Sequence, residues 1–411
     1  MLDGLRVLDL CDGSGAHCGR ILADLGADVI KVEPPAGDPT RAIPPYLDDV
    51  PGPDRGLLHL ALNANKRGVT LDLDDPNGRE LLRRLVDVGD VLVESFAPGY
   101  LEERGLGYAA LSARNDRLIV TSITPYGQDG PLAGLPASDL EVTAASGSLW
   151  LGGEPREPPV RTTLPQSPFW TGMYAAAGTL FAYLVRERLG RGQHVDVSAQ
   201  ASMVTVHPPA SVFADVLGEE HVRLGPYLVG RSIVGTRFRN VWPCRDGYVA
   251  FAIQGGPIGR HTGRMLEEWM RARGMRVDAE REIDWDTFDN RTLTQADVDR
   301  MEAAIGAFFL TLTKAEFFEG VLARNMLGYP VSTAEDVYAD EQLRARDFWQ
   351  EVPLAADSAL TFPGGFAVFG GERPRIRRPA PRVGEHSDEV YRELLGLNVA
   401  ELAALRERAI L

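Results

Sequence analysis

The first forty residues constrain this chain most. Residues 5–10 are an apolar run, Gly13-Ser-Gly15 follows, residues 16–25 have helical spacing, and Asp28–Glu33 is a second apolar run. Strand, glycine turn, helix and strand in that order make one unit of a parallel sheet, because a parallel neighbour is reached only by a crossover. Residues 69–73, 90–94 and 118–123 read as further strands. Asp75-Pro76 offers an N-cap and a proline at the first helical position, so a helix is expected to about residue 88. The alternation predicts the α/β class, with a large Rossmann-like, doubly wound domain. Ligands of such sheets gather beyond the carboxyl ends of the strands.

Further on, residues 171–188 are rich in Ala, Leu and Tyr and read as a buried helix, turned by Gly190-Arg-Gly-Gln193 into a strand over 194–197. Composition changes after His207-Pro-Pro209. The expected organisation is a large domain over 1–205, a linker and smaller α+β domain over 206–329, and a return over 330–411 that completes the large domain. Strands are expected at 238–242 and 248–253. Thr313-Lys-Ala-Glu316, Ser332-Thr-Ala-Glu335 and Asn398-Val-Ala-Glu401 read as helix starts.

A net charge of −15 argues against nonspecific binding to nucleic acid or anionic membranes, though a few local cations can still hold a small anion. Cys11, Cys18 and Cys244 are too few and scattered for a disulfide framework or zinc site, and the seven histidines show no metal-ligand spacing. No metal is expected. No apolar run approaches a membrane span and Met-Leu-Asp-Gly is no signal peptide, so a cytoplasmic protein is expected.

The glycine turn alone leaves several readings open. Backbone amides there suit an anion. Gly19 comes one residue too late for the dinucleotide fingerprint. Residues 7–15 also look like the first motif of methyltransferases, with Glu33 as the ribose-binding acid. A plain tight turn fits equally.

Later segments shift the balance. Pro34-Pro-Ala-Gly-Asp-Pro-Thr-Arg41, Asn63-Ala-Asn-Lys-Arg-Gly68, Glu94-Ser-Phe-Ala-Pro-Gly99, Gln128-Asp-Gly-Pro131, Ser138-Asp139 and Gly384-Glu-His-Ser-Asp-Glu-Val390 occur in that order. Together they resemble the class III CoA-transferases, a family that includes carnitine-dehydratase and bile-acid-inducible proteins and α-methylacyl-CoA racemases. The resemblance implies that family's fold, coenzyme A as the substrate thioester, an acyl-CoA and a carboxylic acid as partners, and an interlocked dimer. The dimer is a homodimer or a heteromer with a catalytic paralogue. It also implies CoA contacts at Ser14, Pro34, Arg41, Lys66, Ser95, Phe96 and Arg104; the arginine is offset by one, since members carry it where this chain has Glu103.

CoA transfer needs a carboxylate nucleophile and amides to hold the oxyanion. In the transferases an aspartate lies between a glycine turn and a Pro-Pro pair. Here that segment is Gly152-Gly-Glu-Pro-Arg-Glu-Pro-Pro159, and the aspartate position is Arg156. Glu154 and Glu157 are the neighbouring carboxylates and the candidates to replace it. The racemase pair falls on Ser138 and near Ser167, neither of them a base. Asp139 matches a family aspartate beside the active site. Gln254-Gly-Gly-Pro257 is a candidate lid. Trp150, Phe169, Trp170 and Tyr174 hint at an apolar or bulky acyl group. Two alternatives stand beside an active transferase: a CoA-binding subunit without a nucleophile of its own, and a CoA-thioester lyase or hydratase.

Overall fold

In the computed structural model, residues 1–207, 212, 214–216, 218, 222–228, 235–355 and 358–411 are described. Six strands form one sheet in the order β3-β2-β1-β4-β5-β6. They are β1 (Arg6–Leu10), β2 (Asp28–Glu33), β3 (Arg67–Thr70), β4 (Val91–Glu94), β5 (Ile119–Thr124) and β6 (His194–Ser198). Every neighbouring pair is parallel. The winding reverses between β1 and β4, and the loops leaving these two strands flank the switch point. The strand expected at 69–73 begins two residues earlier and ends at Thr70, because Arg67 stands opposite Ile30 in the β2 register.

Successive strand residues point to opposite faces, and both faces are covered. Leu8, Leu10, Ile30 and Val32 pack with Leu81, Leu82 and Leu85 of α3 (Pro76–Asp87) and with Val390, Tyr391 and Leu402 near the C-terminus. Val7, Val29, Val91, Val93 and Ile119 pack on the other side with Leu22 of α1 (Ala16–Asp24) and with Ala175, Ala176 and Ala182 of the Ser167–Leu189 helix. Each such aliphatic side chain stabilises the sheet by roughly 1.5–3 kcal/mol when fully buried. Asp75 caps α3 through the Asn77 amide, and Gly190, at φ 71°, ends the long helix in the left-handed region.

Two compact units emerge. The larger comprises Met1–Leu149, Thr162–Glu220 and Gln342–Leu411; the smaller comprises Trp150–Arg161 and His221–Glu341. The segment 150–161, expected within the large domain, therefore groups with the small unit, and the return begins at 342. In that return the Tyr391 hydroxyl donates to the Thr70 carbonyl at 2.8 Å, fastening the Ser387–Leu395 helix to the end of β3.

The small unit holds an antiparallel sheet of Val241–Cys244, Gly247–Ala250 and Tyr329–Pro330. Asn240 breaks the strand expected at 238–242 into two ladders. Trp242, Trp269, Phe308, Phe309 and Phe317 fill its core. The Thr313–Glu316 and Asn398–Glu401 capping boxes form, whereas the third box is Thr333 with Asp336, one residue beyond Ser332. Among the described residues no helix is long and apolar enough to cross a membrane.

Gly320 lies inside the Lys314–Arg324 helix, and a Cβ there would come within 2.0 Å of the Trp269 ring. Glycine to alanine in an exposed helix interior stabilises by about 1 kcal/mol. Here overpacking reverses the sign: Gly320→Ala is expected to lower stability by about 1–3 kcal/mol, read from the urea unfolding midpoint.

Candidate active site

The loops after β1 and β4 are tied to each other. The Asp12 amide donates to Ser95 Oγ at 2.9 Å, and Ser95 Oγ donates to Asp12 Oδ1 at 3.0 Å. The Ser14 amide and hydroxyl also donate to Asp12 Oδ1, at 2.9 and 2.5 Å. Ser14, Ser95 and Phe96 are thus brought together at the switch point. Pro34 is exposed just past the end of β2.

Three glycines, Gly13 and Gly15 of the first turn and Gly19 inside α1, serve packing. A Cβ at Gly19 would sit 2.1 Å from Asp9 Oδ2, one at Gly15 2.7 Å from Cys11 Sγ, and one at Gly13 2.8 Å from the Thr40 methyl. Gly19 makes room for a buried ion pair, which explains its departure from the dinucleotide spacing.

That pair belongs to a ladder of internal charges. Lys66 is fully buried and donates to Asp9 Oδ2 at 2.6 Å, the Ala16 carbonyl at 2.9 Å and Asn63 Oδ1 at 2.9 Å. Burial pulls its ammonium below the ordinary value, against the opposing pull of Asp9. Lys31 bonds the Cys11 carbonyl and Asp38. Burial acts against the Asp38 carboxylate, but Lys31 and Thr40 outweigh it and hold the group down at about 2. Arg41 grips Glu33 with two parallel bonds of 2.8 and 2.7 Å, Asp54 at 2.7 Å, and the carbonyls of Pro53 and Pro381.

Arg41 and Lys66, read from sequence as cations facing a nucleotide, are inside the fold with every N–H donor taken by protein. Glu33, the acid a methyltransferase would use on ribose, is buried and bonded to Arg41, so that reading has no free carboxylate.

Arg104 is placed differently. Its guanidinium lies 3.6 Å from the centroid of the Tyr100 ring, and Tyr100 stacks on Phe96 with centroids 4.3 Å apart and planes 14° from parallel. Asp74 accepts from Arg104 at 2.6 Å. Phe96, in the loop before the Tyr100–Glu103 helix, Tyr100 and Arg104 form a half-buried column of flat groups.

Beneath this column lies Glu94, which sequence reading assigned no role. Its carboxylate accepts from the Phe96 amide at 2.7 Å. Burial pushes its carboxyl up to about 7, and the bonds from Ser122 and Phe96 only partly oppose this. Ser122 Oγ lies 2.8 Å from His194 Nε2, whose ring stacks on Tyr108.

In the small unit, residues 152–159 form an exposed loop closed by the Val160 amide on the Gly152 carbonyl. Arg223 knits it. Its guanidinium donates to the carbonyls of Glu154 (3.3 Å), Trp150 (3.4 Å) and Glu157 (3.0 Å) and stands 4.5 Å from the Trp150 ring centroid. The Glu154 carboxylate lies against Gly225, where a Cβ would come within 2.5 Å of it. Glu157 and Arg156 are exposed.

Asp139, matched from sequence to an aspartate beside the active site, ties backbone. Its Oδ1 accepts from the Gln166 amide (2.9 Å), the Ser167 amide (2.8 Å) and Ser167 Oγ (2.9 Å), capping the start of the Ser167–Leu189 helix. Ser138 caps its own helix in a box with Glu141. The candidate lid at Gln254-Gly-Gly-Pro257 is a pinned turn, with the Gly255 amide held by Asn290 at 2.7 Å. No cluster of metal-binding side chains occurs among the described residues.

Comparison with known proteins agrees with this architecture. Residues 2–387 match the family model for CoA-transferase family III. The succinyl-CoA:(R)-benzylsuccinate CoA-transferase subunit BbsE of Thauera aromatica is 37% identical over 94% of this chain and 93% of its own. The succinate–glutarate CoA-transferase of Agrobacterium fabrum is 31% identical over 96% and 95%. Among solved structures, a CaiB/BaiF family protein from Brucella suis superposes with a TM-score of 0.81 at 29% identity, covering 96% of this chain and 99% of that one.

The buried groups give two expected outcomes. Lys66→Met strands Asp9 without its cation and is expected to lower stability by about 3–5 kcal/mol, while the double change with Asp9→Leu recovers part of that loss in urea melts. Glu94 has its folded value raised from 4.5 to about 7. Its contribution to stability is therefore complete below about pH 4.5 and is lost as pH rises through 7. At about 1.4 kcal/mol per unit the loss approaches about 3 kcal/mol. Glu94→Gln is expected to remove that part of the decline between pH 5 and 8.

Proposed function

The chain belongs to CoA-transferase family III, and from that premise we propose that it moves CoA from a dicarboxylic acyl-CoA such as succinyl-CoA to an acid with apolar or aromatic bulk. The activity class is that of the family. The donor is inferred from relatives named for succinyl-CoA or succinate. Partly exposed aromatics on the long helix, Phe169 and Tyr174, suit a bulky acyl group. Cys11, Cys18 and Cys244 are buried free thiols, which suits a reducing cytoplasm.

We assign the nucleotide to the large unit, along Ser14, Pro34, Ser95, Phe96 and Arg104. We assign acyl acceptance to the 152–159 loop, with Glu157 as nucleophile and Glu154, wedged against Gly225, as the lesser candidate. The single observation that carries this is the exposed carboxylate pair on a loop whose carbonyls Arg223 fixes. The carboxylate attacks the thioester carbonyl, giving a mixed anhydride and CoA thiolate. The thiolate then attacks the glutamyl carbonyl, releasing the donor acid and leaving an enzyme thioester. Repetition in reverse with the acceptor acid delivers CoA.

A second reading is favoured by Arg156 at the aspartate position and by the word subunit in the name of the 37% relative. There the chain acts within a heteromeric, interlocked assembly and a paralogous chain supplies the carboxylate. Succinyl-CoA with hydroxylamine separates the two. A hydroxamate on residue 157 and a loss of at least about a thousand-fold in kcat for Glu157→Gln are expected under the first. CoA binding without an adduct, and turnover only with a second chain added, would establish the other.

A further inference from the structure

Six carboxylates are buried among the described residues: Asp9, Glu33, Asp38, Glu94, Glu267 and Asp278. Five have a salt-bridge cation: Lys66, Arg41, Lys31, Arg271 and Arg300 in turn. Glu94 has none. A buried carboxyl group without a cation is either a neutral acid or a strained anion. This one ends β4 and is bonded through its own carboxylate to the amide of Phe96, the first member of the stacked column.

The groups around Glu94 offer no compensating charge. Ser122 from β5 bonds it; Glu102 and Asp196 repel its ionised form. The Cys11 thiol faces it from the end of β1, and burial leaves that thiol well above its usual value and uncharged. His194 reaches it only through Ser122. A cavity of about 10 Å³ separates Glu94 from Tyr108, Gln128 and His194. That space is too small for any organic ligand, so the cluster acts through the loop it supports.

We propose that Glu94 is a positioning residue for CoA: its carboxyl group fixes the Phe96 amide, and thereby the Phe96–Tyr100–Arg104 column on which the adenine stacks, and as the neutral acid it places no anion beneath the ligand. This role rests on the assignment of the nucleotide to the large unit. Ionised, Glu94 keeps the Phe96 amide but places an anion beneath a ligand that carries phosphates. Affinity for CoA therefore falls as Glu94 loses its proton, near neutrality given its raised value of about 7.

The test is calorimetric binding of free CoA from about pH 6 to about pH 8.5 by the full chain, its Glu94→Gln and Glu94→Ala forms, with urea midpoints confirming that each is folded. Glutamine mimics the neutral acid and controls for titration of the phosphates of CoA itself, whose second ionisation lies near 6. The wild type is expected to weaken several-fold relative to Glu94→Gln across that range. Glu94→Gln is expected to match the wild type at the acid end. Glu94→Ala is expected to bind about ten-fold more weakly throughout, the scale of one base-stacking contact, with KM for the thioester raised and kcat kept. Coincident wild-type and Gln profiles, or unaltered binding by a folded Ala form, would overturn the role. A wild type that binds no CoA at any pH would instead reject the assignment of the nucleotide, and this role with it.

Discussion

The Asp9–Lys66 ion pair is the constraint on which the large unit's architecture depends. It crosses from the middle of β1 to the entrance of β3 and is completed by a carbonyl at the start of α1. Two ions taken from water demand close geometry and full hydrogen bonding. Lys66 has both, and the neighbouring Lys31–Asp38 and Arg41–Glu33 pairs repeat the arrangement along β2. The sequence around them answers that demand. Gly19 cannot carry a side chain because Asp9 occupies the place. The Pro-Pro-Ala-Gly loop after β2 is shaped to return Asp38 and Arg41 to their partners.

Much of the sheet was legible because it obeys local rules. Alternating apolar runs separated by helical spacing leave little choice but a parallel sheet. The caps at Asp75 and Thr313 occur where their residue types demand. Errors arose where a tertiary partner decided. β3 starts at Arg67 because β2 offers Ile30, and the capping box expected at Ser332 slides to Thr333 because Asp336 can reach its backbone. The 150–161 segment could not be grouped from sequence, since its holdfast, Arg223, lies some sixty residues on.

The site was harder to read, and for one physical reason. A motif shows that a charge is present but not whether it faces water or a counterion. Arg41 and Lys66 read from sequence as phosphate ligands, and in the fold Glu33 and Asp9 face them. Asp139 reads from sequence as a catalytic candidate, and in the fold three donors from Gln166 and Ser167 converge on its oxygen. Ser14, Ser95 and Phe96 lie in the loops that leave β1 and β4, beside the switch point. The inverse holds for Glu94, which looked like the last residue of a strand. Its distinction is the absence of a cation among the described residues, and no spacing rule encodes that.

With the ladder cations internal, recognition of an anionic nucleotide by a chain of charge −15 must rest on something other than net attraction. Arg104 is half-neutralised by Asp74. What it retains is a flat face, continued by Tyr100 and Phe96. Stacking on such a column depends on orientation more than on charge, and orientation is inherited from the backbone that carries Phe96. A neutral acid under that backbone holds it without adding to the negative field. A paired acid would need its own cation there and would be indifferent to pH. With the nucleotide assigned to this column, an ionised Glu94 opposes an anionic ligand and a neutral one does not, so the proposed affinity is linked to one titration.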